Sequence, residues 1–516
     1  MKLSKNYNSN VSTIDELLHI NESYDLLKKE FIIGTKHITL YFIDGFLKDD
    51  NLESLINSLS IYKEKKLDES YSASQILNTC ITSCEAILED DFTKIINTIL
   101  SGQTAIIIEN VMQAIIIDYR TYPARGPEEP DSEKVLRGAR DGFVETIVSN
   151  TALIRRRIRD INLRIEMINI GKTSKSDIAI CYMNNTVDRK ALKTLKNKLN
   201  NIDIKSLTLG GHTLIEYFSR GKWYNPMPII RYTERPDTTT SHILEGRIAI
   251  LVDNNPSALL LPGSIFDFLQ NVDDYYSPLL TGNYLRILRN LVLLSTLLFT
   301  PLYLLFTKYY YIFPSSFHFL LPTDEINIPI VFQFLILELA IDALRTASLN
   351  TPSALSMSLS VVGAIILGEY AVSSGWFIPQ CVFYMAVVAL ASYTETNIEI
   401  GYAVKFFRIF LLICTAIFDF PGFIIALIIC FLIVLNTKTL TGSPYLYPLI
   451  PLNWGELCHA LFRVDITRTR NVNKKSEWWL YHSDFSYYLC FFLEFFFLLF
   501  FLFWLLLTIV ILFSSS

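Results

Sequence analysis

The composition of this chain changes abruptly near Arg289, and that change limits its folds more than any single motif does. From residue 1 to about 285, Lys, Asp, Glu and Asn recur throughout; beyond Arg289, Leu, Ile, Phe and Val take over. Residues 291–306 with their flanks are apolar for about 20 positions, and a helix of that length spans the roughly 30 Å hydrocarbon core of a bilayer. The expected architecture is a soluble α/β N-terminal region of two subdomains followed by an all-α polytopic membrane domain. Whole-chain figures agree: 51% of the 516 residues are hydrophobic and 18% charged, against about 25% charged in ordinary soluble domains. A net charge of −5 excludes the strongly basic footprint of a nucleic-acid binder.

The membrane half is expected over residues 286–450 with about 5–6 helices. Residues 328–349 are apolar but carry Glu338, Asp342 and Arg345; residues 354–372 are rich in small side chains; 377–392 is another candidate span. The run 405–437 is broken by Asp419, Pro421 and Gly422 and reads as a helical hairpin or a kinked helix. A basic segment, 451–488, precedes an aromatic tail, 489–516, that could add a span. Arg286 and Arg289 stand before the first span, Asp324 and Glu325 after it, which puts the preceding domain on the cytoplasmic side. The first 25 residues lack the apolar core of a signal peptide.

In the soluble half, residues 1–11 read as a disordered tail and 12–170 as a first subdomain, helical to about residue 100. A hairpin follows, from 104–109 and 113–118 across Asn110, because short β-branched runs either side of a turn favour paired strands. Residues 122–140 form a Pro/Gly/Glu-rich loop, and 141–167 look helical again. The second subdomain, 171–285, alternates strand and helix: strands at 177–182, 203–208 and 246–253, helices at 187–200 and 212–218, and 258–261 paired with 246–253 across Asn254, Asn255 and Pro256.

Chemistry-bearing patterns are few. No H-E-x-x-H, G-x-S-x-G or spaced Cys/His quartet is present, so no catalytic set, metal or cofactor is expected. Cys80 and Cys84 make an incomplete metal site at most. Gly171-Lys172-Thr173 lacks the upstream glycine of a phosphate loop, position 166 being Glu. Glu338, Asp342 and Arg345 share one helix face, either as the polar lining of an ion path or as a local pair on an interfacial helix. Ser356, Ser360, Gly363 and Leu367 share another face, suited to close helix packing or to a pore lining, with Glu369 beside it. The run Arg155-Arg156-Arg157 reads either as a charged face paired with acidic neighbours or as a contact with another subunit or with anionic lipid.

Longer motifs carry a resemblance. Arg125 with Glu128, Glu129, Pro130 and Glu133, then Arg137-Gly138-x-Arg140-Asp141-Gly142-Phe143-Val144-Glu145, and Asn150 through Arg157, are similar to the hallmark segment of A subunits of the GerA family. Further matches are the stretch from Ile170 to Asp177, Thr233-Glu234-Arg235-Pro236-Asp237, Leu244-Glu245-Gly246-Arg247, Asp273 to Tyr276, Ser360 to Gly363, and Pro444 to Pro448. The resemblance runs from about residue 12 to 465.

The resemblance implies a subunit of a spore germinant receptor. It would work with a permease-like B subunit and a lipoprotein C subunit in the inner spore membrane, as a ring-shaped homo-oligomer that conducts cations, its soluble domain facing the core. Arg137, Arg140, Asp141, Arg155, Arg156 and Arg157 would serve subunit contact or coupling. Glu338, Asp342, Ser356, Ser360, Gly363, Leu367 and Glu369 are the pore or gate candidates. Two alternatives stay open: the family's sporulation paralogue, stage V sporulation protein AF, and a membrane scaffold without a pore. Residues 324–329 are shorter than the family's segment and lack its Pro-Phe-Pro, Glu369 stands where the family has Gln, and the tail beyond Tyr487 has no counterpart.

Overall fold

The computed structural model describes residues 2–33, 36–47, 49–60, 72–81, 85–120, 133–135, 137–207, 209–218, 224–312, 314–322, 324–350, 370–395 and 397–463. These fall into two compact units, the first of residues 1–223, 229–263 and 438–443 and the second of the remainder. The expected span at 354–372 lies almost wholly outside the described residues, as do Cys84, most of the loop 122–140 and the tail 489–516.

The first unit holds two five-stranded antiparallel sheets built on one plan. After the helix α1 (Tyr7–Leu18), the first sheet runs β1 (Leu26–Ile33), β2 (Lys36–Ile43), α2 (Asp49–Ser60), α3 (Ala73–Cys80), β3 (Ala86–Glu89), α4 (Phe92–Leu100), β4 (Thr104–Ile108) and β5 (Ala114–Ile117). After α5 (Ile147–Arg157), the second runs β6 (Leu163–Ile170), β7 (Ser176–Met183), α6 (Arg189–Asn200), α7 (Gly211–Phe218), β8 (Arg231–Thr233), α8 (Pro236–Leu244), β9 (Ile248–Val252) and β10 (Ala258–Leu261). The strand orders, β1-β2-β4-β5-β3 and β6-β7-β9-β10-β8, are the same permutation. Each sheet closes with a hairpin whose turn holds an asparagine at positive φ, Asn110 (61°) in one and Asn254 (60°) in the other. Asparagine reaches that left-handed region more readily than most side chains.

Strand alternation divides each sheet's apolar residues between two cores. Ala105, Ile107 and Ile116 face α1 and α4, whereas Ile106, Ile108 and Ile115 face α2 and α3. In the second sheet, Ile178, Ile180 and Ile250 pack against α6 and α7, and Ala179, Cys181 and Leu251 against α5 and α8. Each fully enclosed isoleucine contributes roughly 1.5–3 kcal/mol, so every layer has reason to stay packed.

Several expectations are corrected here. Tyr7 begins a helix capped by Asn6, whose side chain accepts from the Ser9 amide, so residues 1–11 are not simply a disordered tail. The stretch expected to be helical to residue 100 contains the β1–β2 hairpin, paired Leu26 to Ile43 through Ile33 to Lys36. The helix expected over 141–167 ends at Arg157, and Leu163–Ile170 is a strand. Residues 203–207 form no strand; the carbonyls of Ile204 and Lys205 instead accept the amides of Lys172 and Thr173, which gives the Gly171 turn a backbone role. The hairpin 104–118, the strand at 177–182 and the 248–261 pairing stand as expected.

The second unit is helical. It comprises α9 (Ile265–Phe268), α10 (Asp273–Tyr276), α11 (Leu279–Lys308), α12 (Ile330–Asn350), α13 (Pro379–Ser392), α14 (Ile398–Asn436) and α15 (Trp454–Leu461). Among the described residues, α11 and α14 are long and apolar enough to cross a membrane, fewer than the five or six helices expected; α13 is apolar but shorter. Only 28% and 22% of their most apolar stretches are buried, where the core helix of a water-soluble protein would be largely covered. Phe418, Phe420 and Ile425 on α14 are each more than half exposed. The break at Asp419 is sharp: that residue has φ 59° and ψ −142°, and the helical stretches on either side fold back toward each other, since a Cβ on Gly422 would overlap the Cys414 carbonyl.

Candidate functional site

Apolar helices can enclose charge only when opposite charges meet, because an unpaired ion in a low-dielectric interior is costly. Within the second unit, α12 brings Glu338, Asp342 and Arg345 to one face, and α14 answers with Lys405 and Arg408, one turn apart. The Arg408 Nε donates to Glu338 Oε1 at 2.6 Å, and its Nη1 donates to the Thr296 carbonyl of α11 at 3.2 Å. Lys405 Nζ lies 3.2 Å from Glu338 Oε2 and 2.5 Å from Asp342 Oδ2. These pairs run between α12 and α14. Glu338 and Arg408 are nearly enclosed, at 5% and 4% exposure.

These side chains line a cavity of about 170 Å³ together with Arg345, Glu395 and Tyr402. Its charged lining is balanced, with Glu338, Asp342 and Glu395 against Arg345, Lys405 and Arg408. The Arg345 guanidinium stands over the rings of Tyr402 and Tyr393, 5.4 and 5.9 Å from their centroids. The floor is tight: a Cβ on Gly401 would overlap the Glu395 carboxylate. Sequence reasoning found the α12 half of this site and missed Lys405, Arg408 and Glu395. The available signal was the i, i+3 pair of cations inside the apolar run of α14.

The other pore or gate candidates, Ser356, Ser360, Gly363, Leu367 and Glu369, lie outside the described residues. The coupling candidates belong to the first unit and separate into two groups. Arg155 is wholly enclosed; its guanidinium donates to Asp25 at 2.6 and 3.1 Å, to Ser23, and to the carbonyls of Asp160 and Leu163. It thereby joins the first sheet to the second. Arg157 pairs with Asp141 at 2.6 Å. Arg137, Arg140 and Arg156 are exposed.

Motif segments far apart in sequence meet in this unit. Arg235, fully enclosed, donates to Asp237 at 2.7 Å, to the Ala139 carbonyl at 2.9 Å and to the Glu133 carbonyl at 3.3 Å. The Phe143 amide donates to the Glu234 carbonyl, and the Asn150 side chain bonds both backbone groups of Val144. Gly246, at φ 89°, has no room for a Cβ against the Thr186 carbonyl. Much of the motif series thus holds the second sheet and its flanking loop together.

A profile described as Bacillus/Clostridium GerA spore germination protein matches residues 13–475. The chain is 36% identical over 442 residues to stage V sporulation protein AF of Bacillus subtilis (strain 168), covering 86% of this chain and 89% of that protein. It is 29% identical over 469 residues to spore germination protein KA of the same organism, covering 89% and 85%. Among solved structures, the N-terminal domain of the A subunit of the Bacillus megaterium spore germinant receptor GerK3 aligns with 51% of this chain and 96% of its own, at TM-score 0.40 and 23% identity. On a match that spans most of its length, the chain belongs to the GerA family of spore germination proteins.

Proposed function

We propose that this chain is the A subunit of a nutrient-germinant receptor and forms a cation-conducting homo-oligomer in the inner membrane of the spore. Family membership supports the germination role. The conducting role rests on one observation, a charge-balanced cavity held among apolar, outward-facing helices. Lys405 there is shared between Glu338 and Asp342, so a passing cation can replace it at either carboxylate without leaving both unpaired. The small-residue face of Ser356, Ser360, Gly363 and Leu367, with Glu369 beside it, is the proposed pore lining. Arg137, Arg140 and Arg156 are the proposed contacts with a neighbouring copy or with the permease-like B and lipoprotein C subunits. Arg286 and Arg289, in the first turns of α11, support a core-side location for the first unit.

Single-channel recording of the purified chain in planar bilayers, with and without its permease-like partner, tests the proposal. Discrete openings that respond to nutrient are expected, and Glu369→Gln is expected to change them. Silence from protein shown to be folded and oligomeric would move the assignment to a scaffold without a pore. The 36% identity to stage V sporulation protein AF favours a second reading, a membrane accessory to release of small molecules from the spore. Neighbouring genes for a permease-like protein and a lipoprotein would favour the receptor; their absence would favour the accessory.

A further inference from the structure

Away from the cavity, α10 and the first turns of α11 gather three arginines around one aspartate. Asp274 is fully enclosed, and its Oδ2 receives Arg286 Nε at 3.2 Å and Arg289 Nη2 at 2.5 Å. Arg463 reaches the same place, donating from Nη1 to the Asp274 carbonyl at 2.8 Å and to the Ser277 carbonyl. Gly282 allows this approach, since a Cβ there would strike the Asp274 carbonyl. Among the described residues, counting Asp273 as the second acid on α10, one cation remains in excess.

The hydrogen bonding is unbalanced in the same sense. Among the described residues, Arg286 Nη1 and Nη2, Arg289 Nε and Arg463 Nε are buried donors without an acceptor, and Arg286 has no exposed surface. Against these four donor atoms stand, among the described residues of these helices, two unpartnered acceptors, Asp274 Oδ1 and Asn290 Oδ1. Buried polar groups are ordinarily satisfied, so donors in excess around a net positive centre call for an acceptor carrying negative charge. Arginine forks match phosphate oxygens two at a time. Arg289 and Arg463 keep partial exposure and give access to the enclosed Arg286.

The surroundings say where that phosphate comes from. Tyr275, Tyr276, Leu279, Leu280, Tyr284 and Leu288 are exposed on the same two helices. Tyrosines beside apolar side chains, next to a basic pocket at the head of an apolar helix, are the composition of a membrane interface that receives a lipid headgroup. We propose that Arg286, Arg289 and Arg463 form a binding site for a phosphate-bearing anion, supplied by the headgroup of an acidic phospholipid.

The test is thermal unfolding of the full-length chain in a mild non-ionic detergent, titrated separately with dioctanoyl-phosphatidylglycerol, dioctanoyl-phosphatidylcholine and inorganic phosphate. The glycerol lipid is expected to raise the midpoint in a saturable way and the choline lipid, with identical tails, to leave it unchanged. Arg463→Gln, which leaves Asp274 its two other arginines, is expected to weaken the apparent affinity about tenfold, the loss of one charge-assisted hydrogen bond. Arg289→Gln should act in the same direction if Arg463→Gln folds poorly. Equal shifts with both lipids, or shifts unaltered in both variants, would overturn the site. Saturation by inorganic phosphate alone, lost in the variants and with no response to the glycerol lipid, would overturn the lipid source.

Discussion

At the scale of single residues, two of the enclosed ion pairs tie separate elements together and do so alike. Asp25 and Arg155, exposed by 2% and 0% at their side chains, join the two sheets, and Glu338 with Arg408 joins α12 to α14. Removing one partner of an enclosed pair strands the other and costs about 3–5 kcal/mol, whereas replacing both with apolar side chains costs far less. Arg155→Ala should accelerate amide exchange in β1, α5 and β6 of the full chain, and Asp25→Leu combined with Arg155→Met should restore much of the protection. His242 behaves differently. Burial holds its imidazole below the usual value, and the nearby Arg247 acts in the same direction, while Glu245 opposes. Its folded pKa is thus lower than its unfolded one, so its contribution is complete above about pH 6.5 and falls as the medium is acidified below it. Exchange in α8 should quicken on that descent, and His242→Gln should flatten the response.

At the scale of elements, the sequence was legible for most strands inside a sheet and misleading at the edges and at β2, which lies inside but reads as helical with its hairpin partner. β4, β5, β9 and β10 are buried on both faces, and their unbroken Ile, Leu and Ala runs announce them. β1 and β6 are each one of two edge strands in their sheets, carrying Lys28, Lys29 and Glu30 in one and Arg164 and Glu166 in the other. Charged side chains on an edge strand guard it from further pairing, and the same charges imitate the wet face of a helix. Half of the charged cavity was readable because Glu338, Asp342 and Arg345 repeat at helical spacing on one element. Its other half showed only as the i, i+3 pair Lys405 and Arg408 in the apolar run of α14, and no local pattern says which helix that pair meets. The kink in α14 makes its own prediction. A non-glycine residue at the Asp419 angles carries about 1–3 kcal/mol of strain, and its partner Lys308 is half exposed, where ion pairs contribute about 1 kcal/mol or less. Asp419→Gly should therefore raise the thermal midpoint, and Asp419→Val should lower it.

At the scale of the whole molecule, the first unit is the same fold written twice. Two strands, two helices, a strand, a helix and a closing hairpin occur in that order in each sheet. Nothing in the residue pattern announced the repetition, because the fold constrains burial and turn conformation rather than identity; the matched asparagine turns are what survives. Each copy has cores on both faces of its own sheet, so hydrogen exchange should resolve two separate sets of slow amides, one centred on Ile106 and Ile116 and one on Ile180 and Ile250. A single set that exchanges as one would contradict that independence. Within the first unit, the motifs that mark the family fall mostly on the second copy and its loop: Glu133, Arg235, Asp237 and Gly246 support β6 to β10, whereas Arg155 reaches the first copy, at Ser23 and Asp25. A twofold plan with its distinctive residues on one side is an opportunity for divergence. The first copy has only to stay folded and is free to change its surface from one relative to the next, so a saturation library should tolerate outward-facing replacements on α2 and α3 more widely than in the loop around Arg235.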